Sequence, residues 1–293
     1  MKFIIYNPIT QLFDFFIYSL TKELEKKDFS VVIINSIEID CDKFDLNNDI
    51  ILIIVNPHFI FDYYDIKNNI INIKKFKFKI LYLTEPINFI VEKNVYLELI
   101  KMINPYSLWT YTYENFNKVK SKINIFKIFP TKHFEFISVS IEKLKERNID
   151  NIIFIGNITT NRIDICKQFN NYLINKTNSW KKEDWIDILN NNLFYLNIHR
   201  RLNCKSFEFF RIIPILANGG VIFSERCNEK EEDQYKDFNI IFVERDNLYN
   251  TFLNYIKNID YKIIFEKTKM FHENIIKDDL DKYILFHNNI KNH

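Results

Sequence analysis

The chain has 293 residues, 47% of them hydrophobic, and its 40 basic side chains against 38 acidic ones give a formal net charge of +2. That length fills one large core or two of ordinary domain size, about 100–150 residues each, and two is the expectation. A charge this balanced speaks against a nucleic-acid backbone as the main partner. The longest apolar run, Ile50 to Val55 continuing past Asn56-Pro57 to Phe61, is too short for a membrane span of about 20 residues.

The first half offers short β-branched runs at Lys2–Tyr6, Ser30–Ile34, Ile50–Val55, Phe78–Leu83, Ser107–Tyr111 and Asn124–Ile128. Helical segments lie between them, such as Gln11–Lys26, where Leu12, Phe16, Leu20 and Leu24 share one face. Pro130 and the mixed polar stretch Phe129–Ser140 break this rhythm, so the expected boundary puts one domain at 1–135 and a second at 136–293. The second series reads as strand Asn151–Ile155, helices Ile163–Ile174 and Lys181–Asn190, strand Leu193–Ile198, helix Ser206–Asn218, and strands Val221–Ser224 and Asn239–Val243, with helices from Asn247 onward. Alternation of this kind predicts an α/β protein of two doubly wound, Rossmann-like domains with parallel sheets. The last helices could pack back onto the first domain.

The four cysteines, Cys41, Cys166, Cys204 and Cys227, form no C-x-x-C, which predicts neither a disulfide framework nor a zinc knuckle but reduced thiols in a cytoplasmic setting. Asn7-Pro8 and Asp14 interrupt the apolar start too early for a secretory leader. The abundance of Asn, Ile, Lys, Phe and Tyr fits an AT-rich coding genome, as in large DNA viruses, some low-GC bacteria and some protists. A viral protein would then work in the host cytoplasm. Average usage would supply about 20 glycines; this chain has three, so glycine is kept where little else serves. Runs such as Asn190-Asn191-Asn192 read as loops.

Three strands of the first half end before a proline: Asn7-Pro8, Asn56-Pro57 and Glu85-Pro86. Proline suits a first helical turn, where its missing N–H would be unpaired anyway, so helix initiation explains the pattern. Ligands of open α/β sheets also bind at the carboxyl ends of strands, where Asn7, Asn56, His58 and Glu85 would gather. In the second half Gly156 closes a strand and is followed by Asn157 and a helix starting near Arg162, a turn that lets a ligand approach backbone amides closely. The segment "NIHRRLNCKSFEFFR" delivers His199, Arg200 and Arg201 from a strand end into a loop, before Ser206 caps a helix carrying Glu208 and Arg211. Each of these charges could be an ordinary solvated or snorkelling side chain; together they point to an anion site at a helix N-terminus.

The stretches "FYLNIHR" and "KSFEFFRIIPILANGGVIFSE" resemble the donor-binding half of GT-B fold glycosyltransferases, in which a helix ending in Ala-x-Gly leads into a short strand. "GNITTNR" resembles the phosphate-side loop of that half, and "LYLTEP" with "LWTYTYEN" resembles late strands of the acceptor-side domain. The resemblance implies two domains facing a cleft and transfer of a sugar from a nucleotide-diphosphate sugar to a hydroxyl on a glycan, protein or lipid glycan, with no metal or other cofactor. It implies donor contacts from Gly156, Asn157, Arg162, His199, Arg200, Ser206, Glu208 and Arg211. It also implies a base from the first domain, for which Glu85 and His58 are the candidates and Asp14 an outsider. Gly219 would end the donor helix in a left-handed conformation, and Gly220 would let the next strand pack close. Many retaining members carry paired glutamates, the second shortly before Ala-x-Gly, where this chain has Pro214.

Three alternatives stay open: a sugar-nucleotide-binding protein of the same fold without transfer, a GT-B fold epimerase, and a metal-dependent GT-A enzyme. The last would use Asp40 with Asp42 or Asp279 with Asp281; chance Asp-x-Asp pairs in solvated loops explain these equally well.

Overall fold

The computed structural model describes residues 1–8, 14–35, 44, 49–57, 66–84, 90–111, 123–128, 137–177, 181–200, 205, 207–274 and 280–291. The chain divides into two compact units. Unit 1 comprises 1–12, 17–130 and 277–293, and unit 2 comprises 13–16 and 131–276.

Unit 1 holds strands β1 (Lys2–Tyr6), β2 (Ser30–Ile34), β3 (Ile50–Val55), β4 (Phe78–Leu83), β5 (Ser107–Thr110) and β6 (Asn124–Lys127), with helices α2 (Ile66–Lys75) and α3 (Ile90–Ile103) and, from Ile17 onward, α1 (Asp14–Glu25) between them. The sheet is parallel, in the order β2-β1-β3-β4-β5-β6. Strands β3 and β4 are buried at every position, as happens when helices cover both faces of a parallel sheet. Edge strand β2 is only half-buried. The final helix, Leu280–Lys291, belongs to this unit. Its Tyr283 meets Trp109 and Phe126 edge-on, with ring centroids 4.9 and 5.3 Å apart.

Unit 2 contains α4 (Ile141–Glu146), β7 (Asn148–Ile155), α5 (Thr160–Gln168), β8 (Leu173–Lys176), α6 (Lys182–Asn191), β9 (Asn192–Asn197), α7 (Phe209–Ala217), β10 (Val221–Glu225), α8 (Glu229–Tyr235), β11 (Ile240–Val243), α9 (Leu248–Tyr255) and α10 (Tyr261–Glu273), and the helix Leu280–Lys291 is thus α11. Its sheet is also parallel, in the order β11-β10-β9-β7-β8. Both units are therefore doubly wound α/β folds. The first strand of each pairs with its second on one side and its third on the other, so the winding reverses between β1 and β3 in unit 1 and between β7 and β9 in unit 2.

Helix α7 is buried along its whole length except at Arg211. It ends as its two glycines require. The Gly219 amide donates to the Leu216 carbonyl (3.2 Å) and the Gly220 amide to that of Ile215 (2.9 Å), with Gly219 at φ +76°; this is the Schellman arrangement. A Cβ on Gly220 would lie 2.4 Å from Ile215 Cγ2 and 2.7 Å from Tyr195 Cε2, so the strand that follows is held against the helix by the absence of a side chain.

Three local expectations are corrected, and one element is added to them. Leu173 and Ile174 open β8, because the chain leaves α5 at Gln168 and turns through Asn170 and Asn171 to pair with β7. Helix α7 begins at Phe209, three residues after Ser206; the Phe207 amide before it is taken by the Glu231 carboxylate at 2.8 Å. Asn190 and Asn191 lie in α6 and Asn192 in β9, and the Asn191 and Asn192 amides bond back to the Asp187 and Ile188 carbonyls, each at 2.9 Å. The short acidic helix α8 was not foreseen.

Candidate anion site at the β7/β9 switch point

The loops leaving β7 and β9 meet where the winding of unit 2 reverses. After β7, Gly156 adopts φ +139°, and a Cβ there would stand 3.1 Å from Arg211 Nη2. The glycine thus admits the guanidinium of a residue 55 positions later. Asn157 is exposed, and Thr159 caps α5 through its backbone: its carbonyl accepts from the Arg162 amide at 2.8 Å and the Ile163 amide at 3.1 Å. The Thr159 hydroxyl makes no capping bond and finds no partner among the described residues. The first amides of α5 consequently lack intrahelical acceptors and side-chain caps, the condition under which a helix start receives an anion.

Arg162, in the first turn of α5, is 4% exposed. Its Nε donates to the Ile198 carbonyl (3.0 Å), its Nη1 to the Asn157 carbonyl (2.9 Å), and its Nη2 pairs with Glu208 Oε1 at 3.2 Å. Burial pushes its pKa down to about 10, against the pull of Glu208, which still leaves a cation at neutral pH. Arg211, on α7, pairs with Glu208 Oε2 at 2.8 Å and donates from Nη1 to Asn197 Oδ1 at 3.1 Å. Its buried Nε has no partner among the described residues. Both guanidiniums rest on the Phe154 ring, 5.1 and 5.3 Å from its centroid. Each such contact contributes about 0.5–2 kcal/mol, more as water is excluded.

Glu208 is thus the bridge between two arginines. Burial alone would raise its carboxyl pKa, but Arg211, Arg162, His199 and Arg200 together hold it below the usual value. Arg200 is exposed, and its carbonyl accepts from Asn161 Nδ2 at 3.4 Å. Three guanidiniums therefore act on one carboxylate, and two positive charges are left without a counter-charge inside this group.

His199 is held on two sides. Its amide donates to Glu225 Oε2 at 2.5 Å, and its Nε2 lies 2.9 Å from the Arg226 carbonyl. A carbonyl can only accept, so Nε2 carries the proton in that contact. Nδ1 is buried without a partner among the described residues. Glu225 also pairs with Arg245, whose Nη2 donates to the Asn161 carbonyl.

Gly156, Asn157, Arg162, His199, Arg200, Glu208 and Arg211 are thus brought to the carboxyl edge of one sheet. Ser206, Glu85 and His58 lie outside the described residues, as do Asp40, Asp42 and Asp279; Asp281 is exposed and pairs with Lys27. Among the described residues no group of three or more His, Cys, Asp or Glu could hold a metal, and no helix is long and apolar enough to cross a membrane. The sequence reading missed Asn197, which orients Arg211 and itself donates from Nδ2 to Ser224 Oγ at 3.0 Å. It also missed Glu225 and Arg245. Asn197 was findable in principle, because it is a polar residue closing the buried run "LFYL" of β9.

No protein-family model matches the chain, and no curated protein matches it in sequence. Among solved structures it is similar to the spinosyn forosaminyltransferase SpnP, with 8% identity, a TM-score of 0.42, and coverage of 93% of this chain and 94% of that one. The functional reading accordingly rests on the side chains of the site.

Proposed function

We propose that this protein is a glycosyltransferase whose unit 2 binds a nucleotide-diphosphate sugar and passes the sugar to a hydroxyl acceptor without a metal. The observation that carries this reading is the pair of positive charges left over among the described residues around Glu208, beside the start of α5, which has no side-chain cap, at the β7/β9 switch point. Cleavage of the sugar–phosphate bond leaves a diphosphate with growing negative charge. Preorganised donors and guanidiniums that already sit in a low-dielectric site stabilise that charge without reorganising. Arg211 and Arg200 take the phosphate oxygens, the α5 amides add their dipoles, Gly156 leaves the backbone uncovered, and Glu208 keeps the arginines in place before the ligand arrives. A base must also remove the acceptor proton; Glu85 and His58 remain the candidates.

The test is incubation with a panel of nucleotide sugars while nucleoside diphosphate release is followed with and without chelator. Release that the chelator does not affect supports the proposal, and release that it abolishes favours a metal-dependent enzyme. Pro214 favours a second reading, in which the protein binds sugar nucleotides without transfer. It stands inside α7 near the position where the resemblance places a ligand-contacting glutamate. Tight nucleotide binding with no release would select that reading.

A further inference from the structure

The sheet of unit 2 ends at β11, and no strand lies beyond it among the described residues. The Ile222 amide donates to the Asn239 carbonyl at 2.9 Å and the Arg226 amide to the Val243 carbonyl at 3.2 Å. Alternate residues from Asn239 to Val243 thus turn their backbone groups to β10, and Ile240 and Phe242, between them, turn theirs to the free edge. Edge strands are commonly shielded by lysine, proline or a bulge; β11 reads "IIFV" and pairs with β10 in unbroken register. The side chains of Ile240 and Phe242 also line a groove of about 430 Å³ beside α8, completed by Arg226, Glu229, Glu232, Asp233 and Lys236. The four α8 positions fall on one helix face, at i, i+3, i+4 and i+7, while Glu231 and Tyr235 are buried. Arg226 is taken by Glu232 at 2.6 Å and Lys236 by Asp233 at 2.7 Å. Glu229 is exposed and has no cation of its own among the described residues, so the groove keeps a surplus carboxylate.

We propose that this edge docks an extended segment of a partner protein that carries lysine or arginine. The segment pairs with the Ile240 and Phe242 backbone as an added strand. Its alternate side chains lie in the groove on Ile240 and Phe242, and its cation meets Glu229. The surplus carboxylate decides between occupants: a phosphate, a nucleic acid or an anionic lipid surface would meet it with like charge. Among the described residues no group of three or more His, Cys, Asp or Glu could hold a metal ion here. A second copy of this chain, joined edge to edge about a twofold axis, would bring the acidic faces of two α8 helices to the same side of the joint sheet. Nothing in this docking depends on glycosyl transfer.

The full chain is titrated by fluorescence anisotropy with labelled peptides: one alternating lysine and valine, one alternating glutamate and valine, and the lysine peptide with all its amides N-methylated, which can donate no backbone hydrogen bond. The first should bind, with an affinity that falls as salt is added, and the other two should bind far more weakly. Glu229→Lys replaces an exposed attraction with a repulsion and should weaken binding of the lysine peptide about tenfold. If Glu229→Lys does not fold, Glu229→Gln is measured in its place, with a weakening of about threefold expected. Equal binding of the lysine and glutamate peptides overturns the proposal, as does equal binding of the methylated peptide, unchanged affinity in the variant, or a wild type that binds none of them. Sedimentation showing a dimer that excludes the lysine peptide would also overturn it and give the edge to a second copy of this chain.

Discussion

Arg211 lies so close over Gly156 that a single added methyl carbon would stand 3.1 Å from its Nη2. Gly156→Ala should therefore act twice. The alanine is strained at φ +139°, a cost of about 1–3 kcal/mol, and it pushes the guanidinium off Glu208 and Phe154. The expected result is a lowered midpoint of thermal unfolding together with weaker nucleoside diphosphate binding by calorimetry. A variant that loses stability and keeps full affinity would separate the glycine from the site.

Arg211→Ala should weaken nucleoside diphosphate binding by about 1.5–3 kcal/mol, the range for hydrogen bonds to charged groups. The wild-type affinity should also fall with added salt as the exposed Arg200 is screened. Unchanged affinity on titration would remove Arg211 from its assigned role.

Glu208 ties acid sensitivity to this site. Its folded pKa is depressed, so its contribution to stability is complete above the ordinary glutamate value of about 4.3 and is lost as pH falls from there through the folded value. Glu208→Gln should lower stability at pH 7 by up to about 3–5 kcal/mol, since it leaves the buried Arg162 and the largely buried Arg211 without their carboxylate. It should also flatten the dependence of stability on pH below about 4.3. Denaturant unfolding of both proteins between pH 3 and pH 7 measures each effect.

Gly220→Ala should cost about 1–3 kcal/mol from overpacking, although Gly220 needs no unusual backbone angle. The nearest obstruction is Ile215 Cγ2 at 2.4 Å, followed by the Tyr195 ring at 2.7 Å, whose hydroxyl lies 3.1 Å from both the Ile188 and the Asn192 carbonyl. Gly220→Ala should cost less in an Ile215→Ala background, where the nearest clashing carbon is gone, than in the wild type, as read from the shift in unfolding midpoint.

Much of this architecture is legible in the sequence because central parallel strands are buried on both faces. "IILIIV" in β3 and "FKILYL" in β4 stand out as unbroken apolar runs. Strand β8 does not stand out, because an edge strand of four residues, "LINK", is half-exposed and merges with the helical period that precedes it. Helix α8 left a readable trace: Asn228 accepts from the Glu231 amide three residues on, an N-cap hidden by an otherwise solvated acidic run. At the site, His199, Arg200 and Arg211 could be gathered from one continuous motif. That Glu208 would be consumed by Arg162, 46 residues away, follows from sheet order and from no local pattern. Where α7 begins was hidden by the apolar pair Phe209 and Phe210, which continues the periodicity of the segment before it without showing which backbone turn closes first.

All three glycines of this chain serve the same nine-residue helix: one clears space for its arginine, one lets the chain turn off its end, and one lets the following strand lie flat against its flank. In a chain with only three glycines, their positions trace the seating of that one segment. Any change that shifts the helix by a fraction of a carbon–carbon bond would be felt at all three.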